Sequence, residues 1–249
     1  MNAAEPLLVL DRVFAGYGKA TILNGATAQV RRGALTTVIG PNGAGKSTMF
    51  KAIFGLLPAR SGMISLGGRN VTNCTPRQML DAGVVYIPQS RNIFPELSVY
   101  HNLELGGVAL RDQAGLAGRL DAIMRRFPML KQKAGAQAST LSGGQQKLLE
   151  VARGLLLDPK LMLIDEPSIG LSPVMVQEVF AILKSLRDNG VTILLIEQNA
   201  KQALQVSDYG LVLEQGQTRI EDTAAKILAD ARIAQLFLGG GLSQPEPVL

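Results

Sequence analysis

Short apolar runs alternate with longer segments of helical periodicity along most of the chain. The apolar runs are rich in Val, Ile and Leu, as strands covered on both faces of a parallel sheet usually are. They occupy residues 7–10, 36–39, 84–87, 161–164, 192–196 and 211–213. Helical patterns follow at residues 46–54, 144–157 and 173–188. The alternation predicts an α/β fold with a mainly parallel sheet and crossover helices.

One region departs from this alternation. Residues from about 91 to 140 contain no convincing strand pattern, but apolar residues recur there at helical spacing: Leu116, Leu120, Ile123, Met124 and Phe127. Such a stripe predicts ordinary core packing on one helix face. We therefore expect a single domain, residues 1–249, with an inserted helical subdomain. Residues 239–249, where glycine and proline accumulate, are expected to form a flexible tail.

The composition excludes several classes of protein. Cys74 is the only cysteine, which excludes an internal disulfide and argues against a zinc site. No apolar run approaches the roughly 20 residues of a transmembrane helix. Residues 1–6 lack the basic and apolar stretches of a signal peptide. We expect a cytosolic protein that works at a membrane only through a partner.

The net charge is moderately positive and is compatible with more than one kind of partner. Lys and Arg number 25 against 20 Asp and Glu, giving a formal charge of +5 and a pI near 9.5. This excess fits nucleic acid or an anionic membrane surface, but most modest positive balances are solvated surface.

Residues 40–47 read Gly-Pro-Asn-Gly-Ala-Gly-Lys-Ser and match the phosphate-loop pattern G-x-x-x-x-G-K-[ST]. A predicted strand precedes them and a predicted helix follows, so a nucleoside triphosphate site is favoured over a plain glycine-rich turn. Backbone N–H groups would bind phosphate oxygens, Lys46 would reach the β- and γ-phosphates, and Ser47 would bind Mg²⁺. The predicted nucleotide-binding residues are Gly40, Pro41, Asn42, Gly43, Ala44, Gly45, Lys46, Ser47 and Thr48.

Two carboxylates follow the apolar run at residues 161–164. Asp165 ends the predicted buried strand, where an unpartnered carboxylate is costly and a Mg²⁺ ion would supply the partner. A turn or helix-capping role for Asp165 is the alternative. Glu166 comes next, in the right place to orient or deprotonate a water that attacks the γ-phosphate.

Residues 141–146 read Leu-Ser-Gly-Gly-Gln-Gln and precede a predicted helix. With the two motifs above, the chain resembles the nucleotide-binding subunit of an ATP-binding-cassette (ABC) transporter over about residues 7–238. The resemblance implies a P-loop NTPase fold of ABC type with an antiparallel amino-terminal β part. It also implies a head-to-tail dimer in which this signature contacts ATP held by the other chain, although a Gly-Gly pair alone is more often a plain helix start. The signature residues are Leu141, Ser142, Gly143, Gly144 and Gln145.

Two further positions match the family. Tyr17 falls where an aromatic residue stacks on adenine, and Gln89 falls at the glutamine that senses Mg²⁺ and the attacking water. The plain alternatives are a loop tyrosine and a surface glutamine. The resemblance thus implies that Ser47, Gln89 and Asp165 surround the metal. The segment from Gln89 through Arg91 into the insertion is where such subunits usually meet the coupling helices of their membrane partner.

Two positions depart from the family pattern. Gln198 stands where a histidine commonly contacts the γ-phosphate, and the only histidine, His101, lies in the insertion. A glutamine donates a hydrogen bond but carries no charge at neutral pH. Ser172 stands where an aspartate is usual. Because Glu166 is retained, we expect slow but genuine ATP hydrolysis, with Lys46, Gln89, Glu166 and Gln198 as the catalytic set.

The departures, together with residues 91–99, narrow the resemblance to the shorter ATP-binding subunit of branched-chain amino-acid importers, with urea and amide importers close to it. This resemblance implies ATP and Mg²⁺ as cofactors. It implies as partners transmembrane permease subunits, a second ATP-binding subunit in a homo- or heterodimer, and indirectly a solute-binding protein. The implied location is peripheral, on the cytoplasmic face of the inner membrane.

Three functions remain open at this point. The preferred one is an ATP-hydrolysing subunit that powers import of a small polar solute. The second is a non-transport ATPase acting on nucleic acid, which the charge favours and the lack of a second cassette or long coiled coil disfavours; we expect no nucleic-acid partner. The third is a degenerate cassette that binds ATP mainly as a structural switch, as Gln198 and Ser172 would allow.

Overall fold

The computed structural model describes residues 5–90, 92–110, 113–230 and 233. Its strands are β1 (Pro6–Ala15), β2 (Leu23–Arg31), β3 (Leu35–Ile39), β4 (Ala59–Leu66), β5 (Arg69–Asn70), β6 (Val84–Ile87), β7 (Leu161–Asp165), β8 (Thr192–Ile196), β9 (Tyr209–Glu214) and β10 (Gln217–Thr223). Its α-helices are α1 (Lys46–Ile53), α2 (Pro76–Asp81), α3 (Val99–Gly106), α4 (Leu116–Arg126), α5 (Pro128–Gln132), α6 (Gly143–Leu155), α7 (Pro173–Asp188), α8 (Ala200–Val206) and α9 (Ala224–Ala229). Short 3-10 turns lie at Gly107–Ala109 and Ala138–Thr140.

The strands form two sheets. The amino-terminal sheet is antiparallel with the order β2-β1-β4-β5. The central sheet has the order β10-β9-β3-β8-β7-β6, and its strands run parallel except for β10 at the edge. The prediction of an α/β fold with an antiparallel amino-terminal part is therefore confirmed.

The apolar runs did not predict β2, β4, β5 and β10, and each of these strands is partly exposed to solvent. In β2 the buried residues Ala26, Ala28 and Val30 alternate with residues that are partly or fully exposed. In β10 no residue is fully buried. A strand that is half exposed shows a weak alternation of apolar and polar residues in place of a continuous apolar run. These strands were therefore not recognised from apolar runs.

Both faces of the central sheet are covered. Helix α1 lies between the two sheets, where Met49 and Phe50 are fully buried among residues of β1 and the central strands. Helix α7 covers the opposite face with Val179 and Leu183, against Ile193 and others of the central strands. This arrangement explains why β3, β7 and β8 are buried at every position.

The helical subdomain has its own core, which reaches beyond the predicted boundary near residue 140. Residues of α3, α4 and α5 pack there against Leu149, Ala152 and Leu156, which lie in and just after α6. The helix that begins with the signature therefore packs against this subdomain as well as against the central sheet, where Val151 lies. Arg91 and the tail at residues 239–249 lie outside the described residues. Within the described ranges, no helix combines the length and apolar character needed to cross a membrane.

Candidate nucleotide site

The phosphate loop joins the end of β3, in the middle of the central sheet, to the start of α1. A Cβ atom on Gly40 would lie 2.1 Å from the backbone oxygen of Leu213, so the loop passes β9 too closely for any side chain. Gly45 has a left-handed backbone with φ 103° at the N-cap of α1, and no described side chain caps this helix. The first N–H groups of α1 are thus open to an anion.

Lys46 lies inside the curl of this loop. Its Nζ donates to the backbone oxygens of Gly40 at 2.8 Å and Pro41 at 3.2 Å. Burial lowers the pKa of Lys46, while the nearby carboxylates of Glu166 and Asp165 act in the opposite direction. The ammonium and the helix N-terminus together form a cradle for phosphate oxygens. Of the other loop residues, Ala44 and Thr48 are buried, whereas Asn42 and Gly43 are exposed.

Asp165 lies at the end of β7, directly beside this loop, and is 2% exposed. The Ser47 hydroxyl donates to its Oδ1 at 3.3 Å, and the Tyr86 hydroxyl donates to its Oδ2 at 3.1 Å. Burial raises the pKa of Asp165, because a charged carboxylate is costly in this environment. A hydroxyl and a carboxylate side by side below the phosphate cradle fit Mg²⁺, which binds few protein oxygens and keeps phosphate and water ligands.

Glu166 is held in an unusual backbone conformation next to Asp165. Its φ is 45°, in the left-handed region, and its N–H donates to the Ile196 oxygen at 2.9 Å. The Gln89 amide donates to Glu166 Oε2 at 2.7 Å. Burial and the charge of Asp165 raise the pKa of Glu166, which suits a proton acceptor. The structure thus places Gln89 against Glu166, and the metal contact predicted for Gln89 stays a prediction.

Tyr17 lies in the loop between β1 and β2, on the same side as α1. Its side chain is 48% exposed. Lys51 of α1 donates to the Tyr17 hydroxyl at 3.3 Å, and the ammonium lies 5.6 Å from the ring centre. The ring is therefore held at its hydroxyl end and open to a stacking partner.

The signature residues form the start of α6. Ser142 is the N-cap, and its hydroxyl accepts the Gln145 N–H while the Gln145 side chain accepts the Ser142 N–H, a capping box. Leu141 is buried in the core of the helical subdomain. Gly143 and Gly144 are the first helical residues. No hydrogen bond within the described residues joins this signature to the phosphate loop, so its contact with ATP of a second chain stays a prediction.

The two departures from the family pattern lie on the surface. Gln198 follows β8 and is exposed. Ser172 is the N-cap of α7, and its hydroxyl accepts the Met175 N–H at 3.5 Å. Serine caps a helix about as well as aspartate, so this substitution preserves the helix start. His101 is exposed in α3, in the helical subdomain.

Two residues that the sequence analysis did not single out belong to this site. Tyr86 binds Asp165, as described above. Glu197 is 1% exposed, and its carboxylate accepts the Ser168 N–H at 3.0 Å and the Ser168 hydroxyl at 2.7 Å. Burial raises the pKa of Glu197. It anchors the segment after Glu166 to the end of β8. The sequence offered one signal for this contact, because Glu197 and Ser168 each come shortly after one of two neighbouring parallel strands.

The chain matches the family model of the ABC transporter over residues 23–169, which is more than half of its length. The chain belongs to the ABC transporter family. It is 38% identical over 234 residues to the high-affinity branched-chain amino acid transport ATP-binding protein BraG of Pseudomonas aeruginosa, covering 94% of this chain and 100% of BraG. It is therefore the ATP-binding ATPase subunit of an ABC transporter.

Other ABC proteins are similar along nearly the whole chain. A probable branched-chain amino acid transport ATP-binding protein, LivF of Archaeoglobus fulgidus, is 36% identical and covers 90% of this chain and 95% of its own length. The lipopolysaccharide export system ATP-binding protein LptB of Escherichia coli is 30% identical, covering 90% of this chain and 93% of LptB. Among solved structures, an ATP-binding cassette of an ABC transporter in its ADP conformation has a TM-score of 0.85 and 27% identity, covering 95% of this chain and 100% of its own.

Proposed function

We propose that this ABC ATPase powers the import of a small polar solute, in the first place branched-chain amino acids, through separate permease subunits. The observation that carries this proposal is the similarity to BraG at 38% identity over 94% of the chain. LptB, which serves lipopolysaccharide export, is 30% identical, so export is the second candidate. The proposed assembly includes a second ATP-binding subunit and a solute-binding protein, at the cytoplasmic face of the inner membrane.

The residues around the phosphate loop can supply binding, orientation and proton transfer for ATP hydrolysis. Lys46 exchanges its two carbonyl partners for phosphate oxygens, and the N–H groups of α1 hold the remaining oxygens. Ser47 and Asp165 would hold Mg²⁺, which neutralises phosphate charge when bound. Glu166 accepts a proton from the water that attacks the γ-phosphorus, and Gln89 orients the Glu166 carboxylate. The bond between the γ-phosphorus and the bridging oxygen breaks in the same reaction, so that ADP and phosphate leave.

Glu166→Gln tests the assignment of the base. The amide keeps an oxygen that can accept the Gln89 hydrogen bond but cannot take up a proton at neutral pH. We expect ATP affinity to be retained and turnover to be abolished, measured by binding of ATP and release of phosphate. Glu178→Gln, an exposed position on α7, is the matched control. Unchanged turnover in Glu166→Gln would remove Glu166 from the mechanism.

Lys46→Ala tests the phosphate cradle. The variant loses the ammonium that lies within the loop, so ATP affinity should fall sharply. Normal ATP binding by this variant would contradict the proposed site.

The rate of phosphate release distinguishes an active ATPase from a degenerate cassette that binds ATP mainly as a structural switch. We expect the assembled complex to hydrolyse ATP faster when the transported solute is present. A rate of phosphate release that stays near zero in both conditions would favour a structural switch. We would then attribute the lack of turnover to Gln198. In that case Gln198→His should restore turnover.

The solute and partners are tested in cells. Transmembrane proteins should copurify with the full chain, and uptake of labelled leucine should stop when only Glu166→Gln is present. Copurification without any change in leucine uptake would direct the search to another solute or to export. Nucleic-acid binding that weakens steeply with salt would instead revive a non-transport function.

A further inference from the structure

The loop that carries Tyr17 lies beside the start of a neighbouring strand. It connects β1 to β2, and β4 pairs with β1 on the other side, with Ala15 opposite Ala59. Arg60 is the next residue along β4. The Arg60 side chain therefore starts at the base of this loop and extends over it, although Arg60 itself belongs to β4.

The Arg60 guanidinium binds the loop at three points. One amino group donates to the Thr21 hydroxyl at 2.8 Å. The other donates to the backbone oxygens of Gly18 at 2.8 Å and Ala20 at 3.0 Å. These acceptors all follow Tyr17 in the chain, so the guanidinium closes the turn in which Tyr17 lies.

The loop's own bonds are fewer than those that Arg60 supplies. Within the turn, the Ala20 N–H donates to the Tyr17 oxygen at 2.9 Å, and at the base of the loop the Ile22 N–H donates to the Ala15 oxygen at 2.9 Å. Residues 17–21 are exposed, and Gly18 has a left-handed backbone. An exposed turn with few internal bonds opens easily unless another group holds it. A planar guanidinium reaches three acceptors at fixed angles, whereas a lysine ammonium does not.

We propose that Arg60 is a positioning residue for the nucleotide base. It fixes the loop so that the Tyr17 ring, whose hydroxyl is held by Lys51, stands ready to stack on the base. The inference rests on the base-stacking role proposed for Tyr17. Arg60 acts through the loop and contacts no part of the phosphate cradle, so it should affect affinity for the base and leave affinity for the phosphates unchanged.

The test compares two ligands on the purified full chain, ATP and inorganic tripolyphosphate, each titrated calorimetrically with Mg²⁺ present. Arg60→Ala should weaken ATP binding about three- to tenfold, a share of what base stacking on an aromatic ring contributes. Tripolyphosphate affinity should stay the same, because this ligand has no base. Arg60→Lys should resemble Arg60→Ala in ATP affinity and also serves if the alanine variant folds poorly. Arg69→Ala, an exposed arginine in β5 at the far edge of the same sheet, controls for lost positive charge.

Tyr17→Ala and the double variant Tyr17→Ala/Arg60→Ala complete the test. Arg60→Ala should have no further effect on ATP affinity once Tyr17 is absent. Equal losses for ATP and tripolyphosphate, or additive losses in the double variant, would overturn the proposal. If Tyr17→Ala weakens ATP binding and Arg60→Ala does not, only the Arg60 inference fails. If Tyr17→Ala leaves ATP affinity unchanged, the proposed stacking role itself is wrong.

Discussion

Replacing Glu150 with alanine should lower the free energy of unfolding by about 3–5 kcal/mol, because it leaves a buried ammonium without its partner. Glu150 and Lys147 lie one turn apart on α6, with side chains 2% and 8% exposed and Nζ 2.5 Å from Oε2. The second carboxylate oxygen accepts the Asn92 N–H at 2.7 Å. The pair therefore also fastens the segment after Gln89 to the signature helix.

Most of the expected loss of stability comes from Lys147, whose buried ammonium would have no partner. Asn92 is exposed, so water can replace the carboxylate at its N–H and little is lost there. Lys147 has no such access to water. Arg153 lies close by, and the Glu150 charge raises its pKa against the lowering effect of burial. A loss of this size is a large share of the roughly 5–15 kcal/mol that a folded domain has.

Urea unfolding followed by circular dichroism measures the effect, since the chain has no tryptophan. Glu178→Ala, an exposed carboxylate on α7, is the control and should change stability by at most about 0.5 kcal/mol. The double variant Lys147→Met/Glu150→Leu should recover most of the loss, because an apolar pair of similar volume avoids the buried charge. The reasoning is refuted if Glu150→Ala matches the control, or if the double variant is as unstable as Glu150→Ala.

Three further outcomes are expected. Gly40→Ala should abolish ATP binding in calorimetry, because its Cβ would lie 2.1 Å from the Leu213 oxygen; retained affinity would mean that the loop can shift freely. ATPase activity should fall on acidification at a higher pH than an ordinary glutamate titrates, because the pKa of Glu166 is raised and its carboxylate must be ionised; a flat kcat profile through that region would contradict this. The raised pKa of Glu197 means that its contribution to stability is present at low pH and lost as pH rises through the folded-state pKa. The urea midpoint of Glu197→Gln should therefore rise relative to that of the parent protein as pH increases. A difference between the two midpoints that does not change with pH would contradict this prediction.

The sequence predicted the parts of the site that follow directly from strand order. Asp165 ends one buried strand, Lys46 and Ser47 follow another through the phosphate loop, and the carboxyl ends of such strands meet at one edge of a parallel sheet. The half-exposed strands β2 and β10 were not predicted, because their burial depends on contacts with the rest of the fold.

The residues that sequence reasoning missed are those whose role comes from distant partners. Lys147 and Glu150 are spaced like a solvated ion pair on a helix surface, and their burial comes from segments distant in the chain, among them the one around Asn92. Arg60 carries no motif, and its three acceptors lie some 40 positions away in the chain. Glu197 directly follows an apolar run, and its partner Ser168 lies 29 positions earlier in the chain.

At Glu166, whose backbone is left-handed, thermal stability and catalytic activity require different residues. A residue with a side chain costs of order 1–3 kcal/mol in that conformation, and glycine adopts it without this cost. Relief of the strain is available through a single substitution, yet the same substitution removes the carboxylate proposed to accept the proton. A library screened only for survival on heating should therefore accumulate Glu166→Gly, and its most stable members would be those that no longer turn over ATP.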